Sequence, residues 1–196
     1  KYANSSDKLV VINNNLIFKE RIPKSYRINE LDEKIRKYRT RREIDLLKRA
    51  NSIIPSPRVY NASSEKDYCI VMEFIDGKKL SDNLDNFPEV IRNNICKEIG
   101  KNIALLHNNN IVHGDLTTSN MILKDDKVFF IDFGLGFVND KSEHKAVDLH
   151  LLKQALESKH YKHFVSCFDN VLSSYKEFSN NFSLIIDRLD KVEKRG

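Results

Sequence analysis

Short apolar alternations open the chain and give way, further along, to helical spacings. Leu9-Val10-Val11-Ile12, then Asn13-Asn14-Asn15, then Leu16-Ile17-Phe18-Lys19 reads as strand, tight turn and strand. Asn tolerates the left-handed backbone that a hairpin turn requires. Pro23 ends the second strand or its extension. Over residues 31–50, Leu31, Ile35 and Tyr38 share one stripe that Leu46, Leu47 and Ala50 continue, which predicts a helix. Pro55 and Pro57 mark a loop, and Arg58-Val59-Tyr60 and Tyr68-Cys69-Ile70-Val71-Met72 predict two more strands.

Beyond Gly77 the pattern changes. Ile91, Ile95, Ile99, Ile103 and Leu106 recur at three and four residues, the spacing of a long buried helix that stops at His107-Asn108-Asn109-Asn110. Two short strands, 121–123 and 128–131, follow around an Asp125-Asp126 turn, and helices are expected near 143–158, 161–178 and 182–194. The expected fold class is α+β. A small β-rich N-terminal lobe with one long helix spans residues 1–75, and a reduced helical C-terminal lobe with the loops that carry chemistry spans 76–196, together one two-lobed domain.

Composition narrows this picture. Hydrophobic residues at 40% and charged residues at 31% describe an ordinary globular chain and exclude a disordered one. No apolar run approaches the roughly 18 residues of a membrane span, and residues 1–8 hold no secretory apolar segment, so a cytoplasmic protein is expected. The sequence begins at Lys1 without an initiator Met, from which a trimmed chain or a piece of a longer polypeptide is expected. Cys69, Cys96 and Cys167 are odd in number and far apart, which speaks for a reducing compartment and buried thiols, and against disulfides or a zinc site. Net charge is +5, and residues 19–49 alone carry twelve Lys/Arg against six Asp/Glu. Arg36, Lys37, Arg39, Arg41 and Arg42 thus form a basic cluster, either a solvated helix face or a contact for a polyanion such as RNA.

The chemistry is concentrated in Ile111-Val112-His113-Gly114-Asp115-Leu116-Thr117-Thr118-Ser119-Asn120 and in Phe129-Phe130-Ile131-Asp132-Phe133-Gly134. Asp115 is followed after five residues by the carboxamide of Asn120, and after twelve more by the carboxylate of Asp132. Two strands between Asn120 and Asp132 fold that pair together. An oxygen-only pair suits Mg²⁺, which keeps several waters and is shared with phosphates. Asp115 is left to accept or orient a hydroxyl proton.

These motifs resemble the H-x-D-x-x-x-x-N catalytic loop and D-F-G metal loop of the protein-kinase superfamily. The resemblance implies ATP with Mg²⁺, or Mn²⁺ in its place, held by Asn120 and Asp132. It implies a strand lysine on the phosphates, here Lys19 with Lys24 as a rival, paired to a helix glutamate, here Glu43. It also makes Met72-Glu73-Phe74-Ile75 similar to the segment joining kinase lobes, with the main chain of Glu73 and Ile75 reading adenine and Met72 guarding the pocket behind. Asp148 is either an anchor of the catalytic-loop backbone or an exposed acid in the first turns of a helix, and His113 is a scaffold residue rather than a base. Three departures stand out. No G-x-G-x-x-G precedes Lys19, Gly114 stands where Arg is usual, and eight residues separate Gly134 from Glu143 with no A-P-E after them. Without that arginine, activation-loop phosphorylation is not expected to be required.

Lys19-Glu20-Arg21-Ile22-Pro23-Lys24-Ser25-Tyr26-Arg27, Arg39-Thr40-Arg41-Arg42-Glu43, and Glu143-His144-Lys145-Ala146-Val147-Asp148-Leu149 carry a narrower likeness. With the two loops, they resemble the small atypical kinase/ATPase subunit of the KEOPS (EKC) complex, the p53-related protein kinase family, from about residue 9 onward. His144 departs from the acid usual in the last of these words. The resemblance implies a serine/threonine kinase or ATPase serving tRNA N6-threonylcarbamoyladenosine modification. The implied partners are a tRNA threonylcarbamoyladenosine synthase, in some archaea fused in the same polypeptide, other KEOPS subunits, and tRNA through the basic helix. A small-molecule phosphotransferase of the aminoglycoside or sugar-kinase type and a pseudokinase scaffold are the alternatives.

Overall fold

The structure is a computed structural model that describes residues 7–12, 15–61 and 68–194. Strands β1 (Asp7–Ile12), β2 (Leu16–Arg21), β3 (Val59–Asn61) and β4 (Cys69–Glu73) form an antiparallel sheet in the order β1-β2-β4-β3. Of the expected Asn13-Asn14-Asn15 turn, the first two residues lie outside the described residues. Side chains alternate across a strand, so Ile17, Lys19 and Arg21 share one face of β2, with Ile17 and Lys19 buried.

Helix α1 (Asn29–Asn51) connects β2 to β3 and carries acids in its first turn and bases in its last, as the helix dipole favours. Its inward stripe differs from the expected one. Leu31 and Tyr38 are exposed, while Asp32, Thr40 and Glu43 are buried ahead of Leu46, Leu47 and Ala50. The cause is a set of polar contacts that cover this stretch. The Asp32 carboxylate accepts from Arg36 Nε at 2.6 Å, and its other oxygen accepts from Lys24 N–H at 3.3 Å and Arg27 at 3.4 Å.

The helical part packs α3 (Glu89–Asn108) against α5 (Phe164–Phe178), and α4 (Ser142–Lys159) against α6 (Phe182–Glu193), after a short α2 (Leu80–Asn83). Ile95, Ile99, Ile103 and Leu106 are buried along α3 as expected, but Ile91, at its first turn, is exposed. Strands β7 (Met121–Lys124) and β8 (Lys127–Phe130) form the expected hairpin. Asp125 and Asp126 turn it with φ of 48° and 58°, the left-handed pair that a two-residue hairpin turn needs. Three two-residue strands were not anticipated. β5 (Lys78–Lys79) pairs with β7, and β6 (Ile111–Val112) pairs with β9 (Phe137–Val138). The last ladder ties the segment after Asp132 to the start of the catalytic loop. All three cysteines are buried, as expected.

Candidate active site

Lys19 lies at the centre. Its ammonium donates to Glu43 Oε1 and to Asp132 Oδ1, each at 2.8 Å, and lies 3.4 Å from Asp7 Oδ2. Burial alone works against a charged lysine, but the surrounding carboxylates of Glu43, Asp132 and Asp7 overcome it and hold the group well above its ordinary range. Among the described residues Lys24 bonds through its main chain, donating its N–H to Asp32 and accepting from the Arg27 N–H, and so is not the lysine of this cluster. Arg21, two residues along the same strand face, donates to the second oxygen of Glu43 and reaches Asp7 at 3.7 Å. Sequence reasoning missed Arg21 and Asp7. The signal for the arginine was its i+2 spacing from Lys19 in a strand.

Asp132 takes a left-handed backbone, φ 61°, a conformation that costs a non-glycine residue roughly 1–3 kcal/mol and is typical of functional positions. This turn aims its carboxylate at Lys19, and the N–H of Gly134 donates to the same oxygen at 3.2 Å. Burial opposes the charge on Asp132, yet the Lys19 ammonium and the Gly134 N–H keep the carboxyl below the usual carboxylate range. Gly134 packs closely against this cluster. A Cβ there would sit 3.0 Å from Asp132 Oδ1 and 3.1 Å from Arg21 Nη2.

The catalytic loop is held from below. Asp148 is buried at 1% exposure and accepts from the main-chain N–H of His113 at 2.6 Å and of Gly114 at 2.8 Å, with His107 Nε2 at 3.3 Å. Of the two readings of Asp148, the anchor is the one the structure bears out. His113 Nε2 donates to the Ile131 carbonyl at 3.1 Å while its Nδ1 accepts from Asp115 N–H at 3.3 Å, which fixes the tautomer and occupies both ring nitrogens. Thr118 is bound to His160 at 3.0 Å, and His160 to Asp85 at 3.0 Å, a strap across 75 residues that no local pattern announces. Gly114 has φ 77°, and a Cβ there would meet the Leu135 carbonyl oxygen at 2.5 Å, so an arginine does not fit the position.

The Asn120 amide donates to both the carbonyl (2.9 Å) and Oδ2 (2.8 Å) of Asp115. Both partners are acceptors, so the Asn120 amide oxygen faces away from them. It and the second oxygen of Asp132 are the oxygens a hard cation would find. Among the described residues no group of three or more His, Cys, Asp or Glu could hold a metal, so a cation here would share its shell with phosphates and water.

Two adjoining hollows meet at these residues. The first, about 600 Å³ and open to solvent, is lined by Leu9, Ile17, Met72, Ile75, Ile122 and Ile131, with Glu73 and Lys19 at its edge. The second, about 490 Å³, is polar and is lined by Asp7, Arg21, Arg39, Asp115, Asp132, Gly134 and Leu135. Asp7 and Asp132 belong to both. Every site residue expected from sequence therefore lies in or beside one continuous cleft.

The basic cluster of α1 is not one face. Arg36 turns to Asp32 and lies 4.0 Å over the Tyr68 ring. Arg42 reaches the Gly134 carbonyl at 3.4 Å, Arg39 lines the polar hollow, and Arg41 is exposed.

The family profile described as RIO domain matches residues 18–147, more than half of the chain. The KEOPS complex subunit Bud32 of Pyrococcus abyssi is 47% identical over 184 residues, covering 92% of this chain and 83% of that one. A probable bifunctional tRNA threonylcarbamoyladenosine biosynthesis protein of Methanobrevibacter smithii is 44% identical over 184 residues, 93% of this chain but 33% of that protein's length. A crystal structure of WbdD overlays with a TM-score of 0.62 at 19% identity, over 97% of this chain and 44% of that one, a likeness of fold. The chain belongs to the protein-kinase-like RIO-domain family and, within it, to the Bud32 proteins.

Proposed function

We propose that this protein is a Mg²⁺-dependent ATPase and serine/threonine protein kinase that works with a tRNA threonylcarbamoyladenosine synthase in a KEOPS complex in the cytoplasm. The observation that carries the reading is the Lys19 ammonium, clasped by Glu43 and Asp132 where an apolar hollow meets a polar one holding Asp115. The relatives named above support the tRNA-modification role over small-molecule phosphotransfer. Retention of Lys19, Asp115, Asn120 and Asp132 in one cleft argues against a pseudokinase.

In this reading nucleotide lies between the N-terminal lobe, residues 1–75, and the C-terminal lobe, 76–196. Adenine fills the apolar hollow, with Met72 behind it. The N–H of Glu73 donates to the Arg58 carbonyl and that of Phe74 to the Asn15 carbonyl, which leaves the Glu73 carbonyl and the Ile75 N–H to read the adenine edge. Lys19, oriented by Glu43, neutralises the inner phosphates. Asn120 and Asp132 would hold Mg²⁺, or Mn²⁺ in its place, which supplies positive charge on the phosphate oxygens. Asp115, steadied by Asn120, orients the acceptor hydroxyl or water and takes its proton.

A radiolabelled-ATP assay with and without tRNA and the synthase tests the reading. Mg²⁺-dependent hydrolysis that rises with both additions is expected. Nucleotide turnover indifferent to both, with phosphate appearing on a small metabolite, would move the protein to the alternative class.

A further inference from the structure

Among the described residues, Arg39 is the cation of the polar hollow that makes no hydrogen bond or ion pair. It stands one helical turn before Glu43 on the inward side of α1, since residues four apart share a face, and it lines the polar hollow together with Asp115 and Asp132. Its neighbours are engaged. Lys19 and Arg21 bind Glu43, Arg36 binds Asp32, and Arg42 reaches the Gly134 carbonyl. Among the described residues Arg39 has no hydrogen bond, ion pair or ring contact. It is half-buried all the same. A guanidinium withdrawn from water without a carboxylate partner is unfavourable unless an anion arrives to meet it.

The hollow limits what that anion can be. It shares Asp7 and Asp132 with the apolar hollow, so a nucleotide whose base fills the first extends its phosphate chain into the second. Lys19 sits at the seam between them and Arg39 lies beyond it, beside Asp115. Gly134 offers no side chain to separate Asp132 from Arg21 there. Arg39 is therefore placed for the outermost phosphate and not for the inner two.

We infer that Arg39 binds the terminal phosphoryl group of ATP and stabilises it during transfer, an arginine supplied by the chain's own helix. The inference rests on the nucleotide reading given above. In the step, the acceptor oxygen forms a bond to the γ-phosphorus as the bond from that phosphorus to the β,γ-bridging oxygen breaks. The electron pair of the broken bond stays on the β-phosphate of ADP, and the acceptor's proton passes to the Asp115 carboxylate. Charge accumulates on the equatorial oxygens of the moving group, where a planar guanidinium can hydrogen-bond to two of them at once.

The test compares Arg39→Ala, Arg39→Lys and Lys48→Ala with wild type. Lys48→Ala removes an equal charge from an exposed position of the same helix. Circular dichroism checks that each variant is folded. Turnover of ATP by Arg39→Ala is expected to fall by at least about 100-fold, the loss on removing one preorganised charge-stabilising donor. Affinity for ADP, which lacks the group in question, should stay at the wild-type level. Millimolar guanidinium should restore part of the Arg39→Ala rate, Arg39→Lys should be intermediate, and Lys48→Ala should match wild type. Wild-type turnover in Arg39→Ala, or a loss of ADP affinity as large as the loss of rate, overturns the assignment. Wild-type protein that binds ATP without turning it over would instead overturn the function reading itself, and this inference with it.

Discussion

Where α1 meets β2, cations and carboxylates face one another directly. Where residues 113–120 meet α4, one buried carboxylate collects main-chain N–H groups beneath an apolar core. The two walls of the cleft thus use charge in different ways. In the proposed function Lys19 exchanges Asp132 for phosphate oxygens without leaving Glu43, since its ammonium has three donors to share between partners. Asp148 has no such freedom. Its bonds to the N–H groups of His113 and Gly114 define the path of the loop, and losing them leaves buried donors unpaired. The first wall is built to change partners, and the second to keep them.

Removing the fixed anchor should have the largest effect. Asp148→Ala is expected to cost about 3–5 kcal/mol of stability in denaturant unfolding, since several buried donors lose their acceptor together. A cost like that of a surface substitution would erase the distinction between the walls. On the exchanging side, Asp132→Ala should abolish turnover while circular dichroism stays native. Asp115→Asn should lose at least about 10²-fold in rate with ATP affinity nearly unchanged. Collapse of affinity in Asp115→Asn would make it part of the scaffold.

A subtler effect concerns pH. The Asp132 carboxyl is held below the usual carboxylate range, so its contribution to stability is present above the unfolded value near 3.9 and is lost as pH falls through the folded one. Lys19 is shifted upward, so its contribution is intact below its unfolded value near 10.4 and does not fade across that acid window. The stability difference between wild type and Asp132→Asn should stay constant from neutrality to about pH 5 and shrink below it. A difference that grows on acidification would show that the ion pair does not stabilise the fold. The smallest change is expected from Lys37→Glu with Arg41→Glu, on the side of α1 away from the cleft. If tRNA touches it, the log–log salt slope of binding should fall by roughly one per lost contact. Unchanged tRNA affinity with weaker synthase binding would assign that face to the protein partner.

Much of this comparison was legible from sequence on the exchanging side. Asp132 follows from the spacing of its loop, and Lys19 and Glu43 from the kinase resemblance, each beside the strand or helix residues that position it. The α1 stripe was misread for a related reason. A hydrophobicity pattern counts Leu31 and Tyr38 as inward, and cannot see that Arg36 compensates a buried Asp32 while Lys19 and Arg21 compensate a buried Glu43. On the fixed side less was legible. Asp148 reads equally well as an anchor or a surface acid until its 35-residue reach to His113 is known. The Thr118–His160–Asp85 strap and the two-residue strands β6 and β9 join distant segments with no periodicity of their own.

Gly114 also bears on what the lineage can become. Its φ of 77° and the Leu135 carbonyl 2.5 Å from where a side chain would begin make this position sterically one-way. Restoring the arginine that lets phosphate switch other kinases would demand a new path for the backbone on both sides of the contact. No single codon change supplies that. An off state worked by an arginine at this position is therefore closed to this backbone.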